Sequence, residues 1–480
     1  MEKRYIDALT EICGATSVLY EMSDIERYLY DETEEYVRPK ACEDCIVVRP
    51  GTYEEVSEIL KWANKELVPV IPRGGGTGAC GAAIPTEPSV IMSMERFRKI
   101  VEVDETNMMI TCQTGVTLAS LNEYLAKNVH ELYFPCHPGD EGAQVGGMCI
   151  ENAGGVRAVK HGIMRSYIKG MKVCLPNGDI VQLGGKLMKN NMGYDLLHLL
   201  IGSEGTLGII TELTLKVIPA PKEVISLVIP FETLADCIGT VPQFKKNGLD
   251  PQALEFMEKA IVQASERYIG KSVYPQKIDG VEAGAYLLVT FDGKTKDELD
   301  NIIEEASEIA LEAGAIDVLV ADTPAKIKDA WAARSSFLEA IKAETNWKDG
   351  LEMLDECDVV VPLDKIAPYV EYVYGVGEKF GLRIESFGHA GDGNLHIYII
   401  GDDKISVADF KAKADEFFDD IYAEATRVGG LVSGEHAIGS GKLDYLAKSV
   451  GPTQMKLMED IKRVFDPKMI LNPGKVCYKL

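Results

Sequence analysis

Three of the chain's seven histidines fall in two glycine-rich pieces, and those pieces could do chemistry together. The first is Gly388-His389-Ala390-Gly391-Asp392-Gly393-Asn394-Leu395-His396, and the second is Gly434-Glu435-His436. Asp392-Gly393 is a strong two-residue hairpin signal, since a type I′ turn needs positive φ at both central positions. A hairpin centred there sets residue 391 opposite 394, 390 opposite 395 and 389 opposite 396. His389 and His396 then face each other directly, roughly 5 Å apart at Cβ. Paired imidazoles and the carboxylate of Glu435 make a three-ligand metal set that leaves positions open for a substrate. A lone histidine is usually a surface or core residue, so the pairing is what carries this reading. An imidazole titrates near neutrality and suits a general base, and His436 is the residue assigned that task. Glu435 and His436 are neighbours, so in extended chain they point to opposite faces. Serving one site requires a bend, which Gly434 and Gly439 permit. Asp392 reads as a turn residue. Asn394, at the turn, could hydrogen-bond a bound molecule.

A second kind of chemistry lies upstream. Pro72-Arg73-Gly74-Gly75-Gly76-Thr77-Gly78-Ala79-Cys80-Gly81 follows an apolar strand and offers bare backbone N–H groups that can cradle a pyrophosphate. It is no Walker loop, because no Gly-Lys-Ser/Thr follows. Gly76, Gly78 and Gly81 fit G-x-G-x-x-G, but Pro85 and Pro88 argue against the helix that a Rossmann fingerprint must open. By itself the loop is either a diphosphate site or a tight structural turn. Two further segments favour the first: Pro138-Gly139 leading into Gly146-Gly147 and Asn152-Ala153-Gly154-Gly155-Val156, and Glu204-Gly205 leading into Ile209-Ile210. Glycine at this density lets backbone approach a large flat ligand.

These pieces need elements to position them. Residues 1–36 read as helical and acidic, with Ile6, Leu9, Ile12 and Leu19 on one face. Short strands and glycine turns run to about Pro219, with a helix from Tyr53 to Lys65. Residues 220–425 alternate helices with apolar strands, such as 285–290 followed by a helix over 296–313. The last stretch, 426–480, returns to glycine signals and closes with Asn472-Pro473-Gly474-Lys475. At 480 residues two or three domains are expected. The net charge, 50 − 75 = −25, argues against a nucleic-acid partner, which would want a basic face. No run of about 18 apolar residues predicts a membrane span, and the N-terminus lacks the apolar core of a signal peptide. The eleven cysteines are scattered and form no four-cysteine cluster motif. Cys42-x-x-Cys45 precedes a strand, where a redox dithiol would open a helix. With no export signal, this usage points to the cytoplasm.

Taken together, 72–81, 146–155, 202–211, 389–396, 434–442 and 472–475 resemble the FAD-linked oxidase family of the vanillyl-alcohol oxidase superfamily. That family includes glycolate oxidase flavoprotein subunits, D-lactate dehydrogenases and D-2-hydroxyglutarate dehydrogenases. The matching pieces span nearly the whole chain in the family's order. The resemblance implies an α+β fold: a two-subdomain FAD-binding domain (37–219, completed by 426–480) and an α+β cap domain with an antiparallel sheet (220–425). It implies that 73–78 wrap the FAD pyrophosphate, with Pro72 and Gly81 flanking. Pro138, Gly139, Gly146, Gly147 and 152–156 would line the flavin side. Glu204, Gly205, Ile209 and Ile210 would line the adenine side, and Asn472 would approach the isoalloxazine. His389, His396 and Glu435 would hold a divalent metal, with zinc, manganese and iron as candidates. Arg334 resembles the arginine that clamps a substrate carboxylate through its planar fork.

The implied reaction is oxidation of a D-2-hydroxy acid, with hydride passed to flavin N5. Leu354-Asp355-Glu356-Cys357-Asp358 stands where the 2-hydroxyglutarate members carry a further basic residue. Acidic groups there would repel a second carboxylate and favour a monocarboxylate such as D-lactate or glycolate. No second redox centre is legible in the chain. An external acceptor is therefore expected, an electron-transfer flavoprotein first and an iron–sulfur partner subunit next. Two other readings stand beside this one: a superfamily member using FAD without net redox chemistry, and a non-catalytic flavoprotein relay.

Overall fold

Alternation along the strands decides which side chains of each sheet enter the core and which remain for chemistry. The computed structural model describes residues 1–35, 38–345, 347–349, 351–402 and 404–477, arranged around three principal sheets. The first pairs Ile46–Val48, Val90–Ser93 and Val70–Arg73 in parallel, with Val18–Leu19 antiparallel at its edge. The three parallel strands are buried throughout, which is why they read as continuous apolar runs. The expected helix after the first of them spans Tyr53–Glu66, capped by Thr52, whose side chain accepts from the Glu55 N–H.

At the N-terminus the helical reading holds over Lys3–Cys13 and in the short turns Ala15–Ser17, Met22–Ile25 and Glu26–Tyr28, but not as one continuous face. Gly14, at φ +83°, ends the helix, and Leu19 lies on a strand paired with Val47. The expected boundary at 36/37 lies outside the described residues.

The second sheet is antiparallel, in the order Ile100–Asp104, Met109–Gln113, Ile209–Lys216, Ile168–Cys174, Ile180–Gly184. No helix opens directly after the glycine loop, as its prolines predict. The third sheet carries seven antiparallel strands. Their order is Leu319–Ala321, Glu223–Phe231, Ala285–Gly293, Ala253–Glu258, Arg383–His389, Asn394–Ile400 and Leu354–Val360. One face buries Leu254, Phe256, Val359, Leu395, Ile397 and Ile399 beneath the helices Leu234–Lys246, Ile366–Phe380 and Val407–Arg427. The opposite face packs a second apolar cluster, including Met257, Tyr286, Leu288 and Phe387, under the helices Lys259–Ile269, Pro324–Ser335 and Phe337–Glu344, and carries Glu255, Glu356, His389 and His396 beside it.

After the long helical stretch Leu443–Phe465 the chain rejoins the first sheet, where Leu471 bridges Val70 and the Asn472 N–H donates to Val70 O at 2.9 Å. Buried Lys462 fastens this return by donating to Asp466 Oδ2 and to the Thr206 and Leu471 carbonyls. No helix among the described residues is long and apolar enough to cross a membrane. All eleven cysteines are free thiols, and burial pushes Cys45 up to about 12, so the C-x-x-C pair has no reactive thiolate there.

Candidate functional site

This opposite face of the seven-stranded sheet gathers the expected metal residues, in a register different from the expected one. His389 pairs with Asn394, and Phe387 pairs with His396. The turn is a four-residue loop, 390–393, in which the Asp392 and Gly393 N–H groups both donate to His389 O. Gly393 has positive φ (+91°) but Asp392 does not, so the type I′ geometry fails. The Asp392 side chain accepts from the Asn394 N–H instead. The two histidines are therefore diagonal neighbours, not direct ones. The pairing differs by two residues, one full side-chain period, so both stay on one face, with ring centroids 5.4 Å apart.

Two carboxylates orient these rings. His389 Nδ1 lies 2.7 Å from Glu255 Oε1, and His396 Nδ1 lies 2.9 Å from Glu356 Oε1. With Nδ1 held, each ring presents Nε2 to Glu435 Oε2, at 3.5 Å for His389 and 3.9 Å for His396. Burial alone would lower the His389 imidazole, but Glu255 and Glu435 outweigh it and hold it well above its ordinary range. Burial would likewise raise Glu435, and the adjacent His389 brings it down to about 2. The site thus demands positive charge between carboxylates. The donor set also suits a divalent metal: two imidazole nitrogens and a carboxylate oxygen within 4.8 Å of one another, each ring backed by an outer carboxylate.

The bend at Gly434-Glu435-His436 is built by Asp358. Its carboxylate accepts from the N–H groups of all three residues, from Ser433 Oγ and from Asn394 Nδ2. Burial would raise Asp358, but Lys442 and the two nearby histidines outweigh it and leave it well below the usual range. Gly434 is obligatory here, because a Cβ would stand 2.1 Å from Asn394 Nδ2. His436 swings beside His396, ring centroids 5.5 Å apart, with Nδ1 3.8 Å from Glu356 Oε1. Asn394 thus lies behind the bend and lines neither main cavity, contrary to the expected contact with a bound molecule.

Arg334 does reach the cavity, but its Nε and Nη2 are both engaged by Glu255 Oε2, at 3.0 and 2.7 Å. Of the three acids read as repelling a dicarboxylate, Glu356 alone lines the cavity as a charged group. Burial pushes Asp355 well above its ordinary value and disfavours its charged form, and Asp358 is turned into the bend. The sequence reading missed Glu255. The signal for it was an acid within the apolar strand Ala253–Glu258.

A cavity of about 650 Å³ holds His389, His396, His436, Glu435, Arg334 and Glu356 on one wall, with Gly139, Gly155 and Val156 among the others. A second, of about 180 Å³, runs from the glycine loop to the same Glu435 and His436. Its wall includes Pro72, Gly74, Gly75, Gly76, Thr77, Gly78, Pro138, Gly147, Ala153, Gly154, Glu204 and Asn472. A Cβ on Gly147 would meet nothing within 4 Å, so that wall is open to a ligand. A slot of about 30 Å³ behind Arg73 is lined by Gly146, Gly205, Ile209 and Ile210. Arg73 Nη1 is buried there without a protein hydrogen-bond partner among the described residues. Two expected residues line none of these spaces. Asn152 accepts from the Arg165 N–H, and a Cβ on Gly81 would strike Ser440 Oγ at 2.8 Å. The glycine walls and the histidine wall meet physically, because Glu435 Oε1 accepts from the Gly155 N–H. Both glycines of that pair are needed: a Cβ on Gly154 would stand 2.6 Å from Glu435 Oε1, and one on Gly155 would stand 1.9 Å from His137 O.

Comparison with known proteins agrees with this geometry. Residues 45–184 match the family described as FAD binding domain, and 220–476 match FAD linked oxidases, C-terminal domain. The chain is 52% identical over 457 residues to a D-lactate dehydrogenase of Anaerostipes hadrus, covering 95% of this chain and 93% of that one. It is 42% identical over 455 residues to a D-lactate dehydrogenase of Archaeoglobus fulgidus, covering 95% and 96%. Among solved structures, p-cresol methylhydroxylase superposes with a TM-score of 0.78 over 99% of this chain and 97% of that one, at 18% identity.

Proposed function

Because the chain belongs to the FAD-linked oxidase family, we propose that it is an FAD-dependent D-2-hydroxy-acid dehydrogenase, with D-lactate as substrate and pyruvate as product. One observation carries this reading: the histidine–carboxylate wall and the glycine-lined cofactor wall share Glu435 and His436. FAD supplies the hydride acceptor. His389, His396 and Glu435 would hold a divalent metal, which would supply a Lewis acid toward the substrate.

The chain's own residues do the rest. His436 accepts the hydroxyl proton as the carbon-bound hydrogen leaves with its electron pair. Glu356 steadies the resulting imidazolium, as a carboxylate does for a catalytic histidine elsewhere. Arg334 has five N–H donors and gives two to Glu255, leaving others for the substrate carboxylate. Glu356, ionised at the cavity wall, disfavours a second carboxylate on the substrate.

Two expected results test this reading. Anaerobic D-lactate bleaches the oxidised flavin spectrum, and kcat/KM for D-lactate exceeds that for D-2-hydroxyglutarate. A reversed preference overturns the substrate assignment, and no bleaching by any 2-hydroxy acid overturns the activity. Reoxidation falls to an external acceptor, with an electron-transfer flavoprotein as first choice. Full turnover with dioxygen alone would remove the need for it.

The outer carboxylate has its own expected result. Glu255→Gln keeps the shape but loses the charge that orients His389 and balances Arg334. Metal affinity should fall about 10- to 100-fold, measured by competition with a chelator. Unchanged affinity would reduce Glu255 to a partner for Arg334 alone.

A further inference from the structure

Glu151 and Glu204 meet in the wall of the cofactor cavity, and the mechanism above uses neither. Their carboxylates lie within 4.8 Å of each other and of Cys80 Sγ. Two carboxyl groups this close do not both ionise readily, so one retains a proton. The hydrogen bonds show which one. Glu204 Oε1 accepts from the Ile438 N–H at 2.9 Å, and Oε2 accepts from the Gly439 N–H at 2.8 Å. Both of its oxygens are thus spent as acceptors, an arrangement that favours the charged form. Glu151 has no such donors, and its Oε2 is buried without a hydrogen-bond partner among the described residues.

The surroundings push the same way. Asp31 and Glu204 face Glu151, and the Cys80 thiol beside it is kept neutral by burial. Burial, then Glu204 and Asp31, hold Glu151 well above the carboxylate range. Burial raises Glu204 as well; the two backbone donors, Lys475 and Lys442 oppose it in part and leave Glu204 above its ordinary range, with no such opposition at Glu151.

We propose that Glu151 is a neutral carboxylic acid whose O–H donates to an acceptor atom on the flavin half of the bound dinucleotide. The cavity it lines reaches Glu435 and His436, where the redox end must lie, and holds Glu204 as well, which the resemblance puts on the adenine side; Gly205, Ile209 and Ile210 line the separate slot behind Arg73. An ionised carboxylate here would repel the electron-rich reduced flavin. A neutral donor would avoid that repulsion and would raise the reduction potential of the bound flavin. This inference rests on FAD as cofactor and is independent of the substrate.

The test uses full-length apoprotein titrated with FAD, and separately with ADP. Glu151→Gln keeps a donor, so its FAD affinity should stay near that of the parent. Glu151→Leu should bind FAD about 3- to 10-fold more weakly, the range of one lost hydrogen bond, and show a lower flavin midpoint potential. ADP affinity should be the same in all three proteins. In infrared difference spectra of FAD binding, the parent should show a protonated-carboxyl carbonyl band that disappears in Glu151→Gln. If Glu151→Leu fails to fold, Glu151→Gln and the infrared band decide. Overturning results are a band that survives in Glu151→Gln, FAD affinity and potential unchanged in Glu151→Leu, or a loss that appears equally with ADP. A parent protein that binds no FAD would instead sink the cofactor reading itself.

Discussion

His436→Ala is expected to lower kcat for D-lactate by about 10²- to 10⁴-fold, the usual worth of a positioned general base. The flavin spectrum and the metal content should be unchanged. The site's construction explains why the loss would be confined to the proton step. His436 lies outside the His389–His396–Glu435 set, and its backbone N–H is held by Asp358 whatever its side chain; it also sits within 4.8 Å of Glu356 and His396 as a second possible set, so a loss of metal in His436→Ala would move the ion there. Glu356 would still orient His396. Stopped-flow reduction of the flavin by D-lactate separates the chemical step from product release, and the loss should appear in that step. Reduction at the parent rate would show that His436 only positions substrate and that the proton leaves by another route.

His389→Ala is expected to strip the metal and lower kcat/KM by about 10²- to 10³-fold. The Lewis-acid contribution of several kcal/mol sets that range, at about 1.4 kcal/mol per factor of ten. The substitution removes the central donor of the set and leaves Glu255 and Glu435 facing each other without the positive group between them. Elemental analysis of the purified variant reads the metal directly. A variant that keeps full activity after chelator treatment would make the hairpin a structural feature and the metal dispensable. Comparison with Glu255→Gln then separates ligand from outer carboxylate, because the latter should weaken metal binding without abolishing it.

Much of the site was legible because it is local. His389 and His396 flank a turn, and strand alternation keeps them on one face even though the register differs by two residues. The glycine loop was recognisable because the strand before it and the prolines after it limit what backbone can do there. The order of the glycine segments along the chain carried the family resemblance, and with it the α+β fold.

The misses share one cause. Asn394 was read as a contact for a bound molecule because it lies next to the turn, yet pairing with the strand Leu354–Val360 turns its amide to Asp358. Asp355, Glu356 and Asp358 were read as three like charges. Folding disfavours the charge of one by burial, sets one on two histidines, and builds the Gly434–His436 bend around the third.

The sequence by itself determined the hairpin histidines, the phosphate-type loop and the apolar runs that become buried strands, since turn chemistry and side-chain period act over a few residues. Only the tertiary structure decided that Glu255, 134 residues before His389, becomes its direct partner. It alone brought Glu435 to Gly155 and left the proton of the Glu151–Glu204 pair to be settled by the Ile438 and Gly439 amides. The physical reason is that charge state and ring orientation depend on burial and on neighbours supplied by distant strands, and no local spacing encodes either.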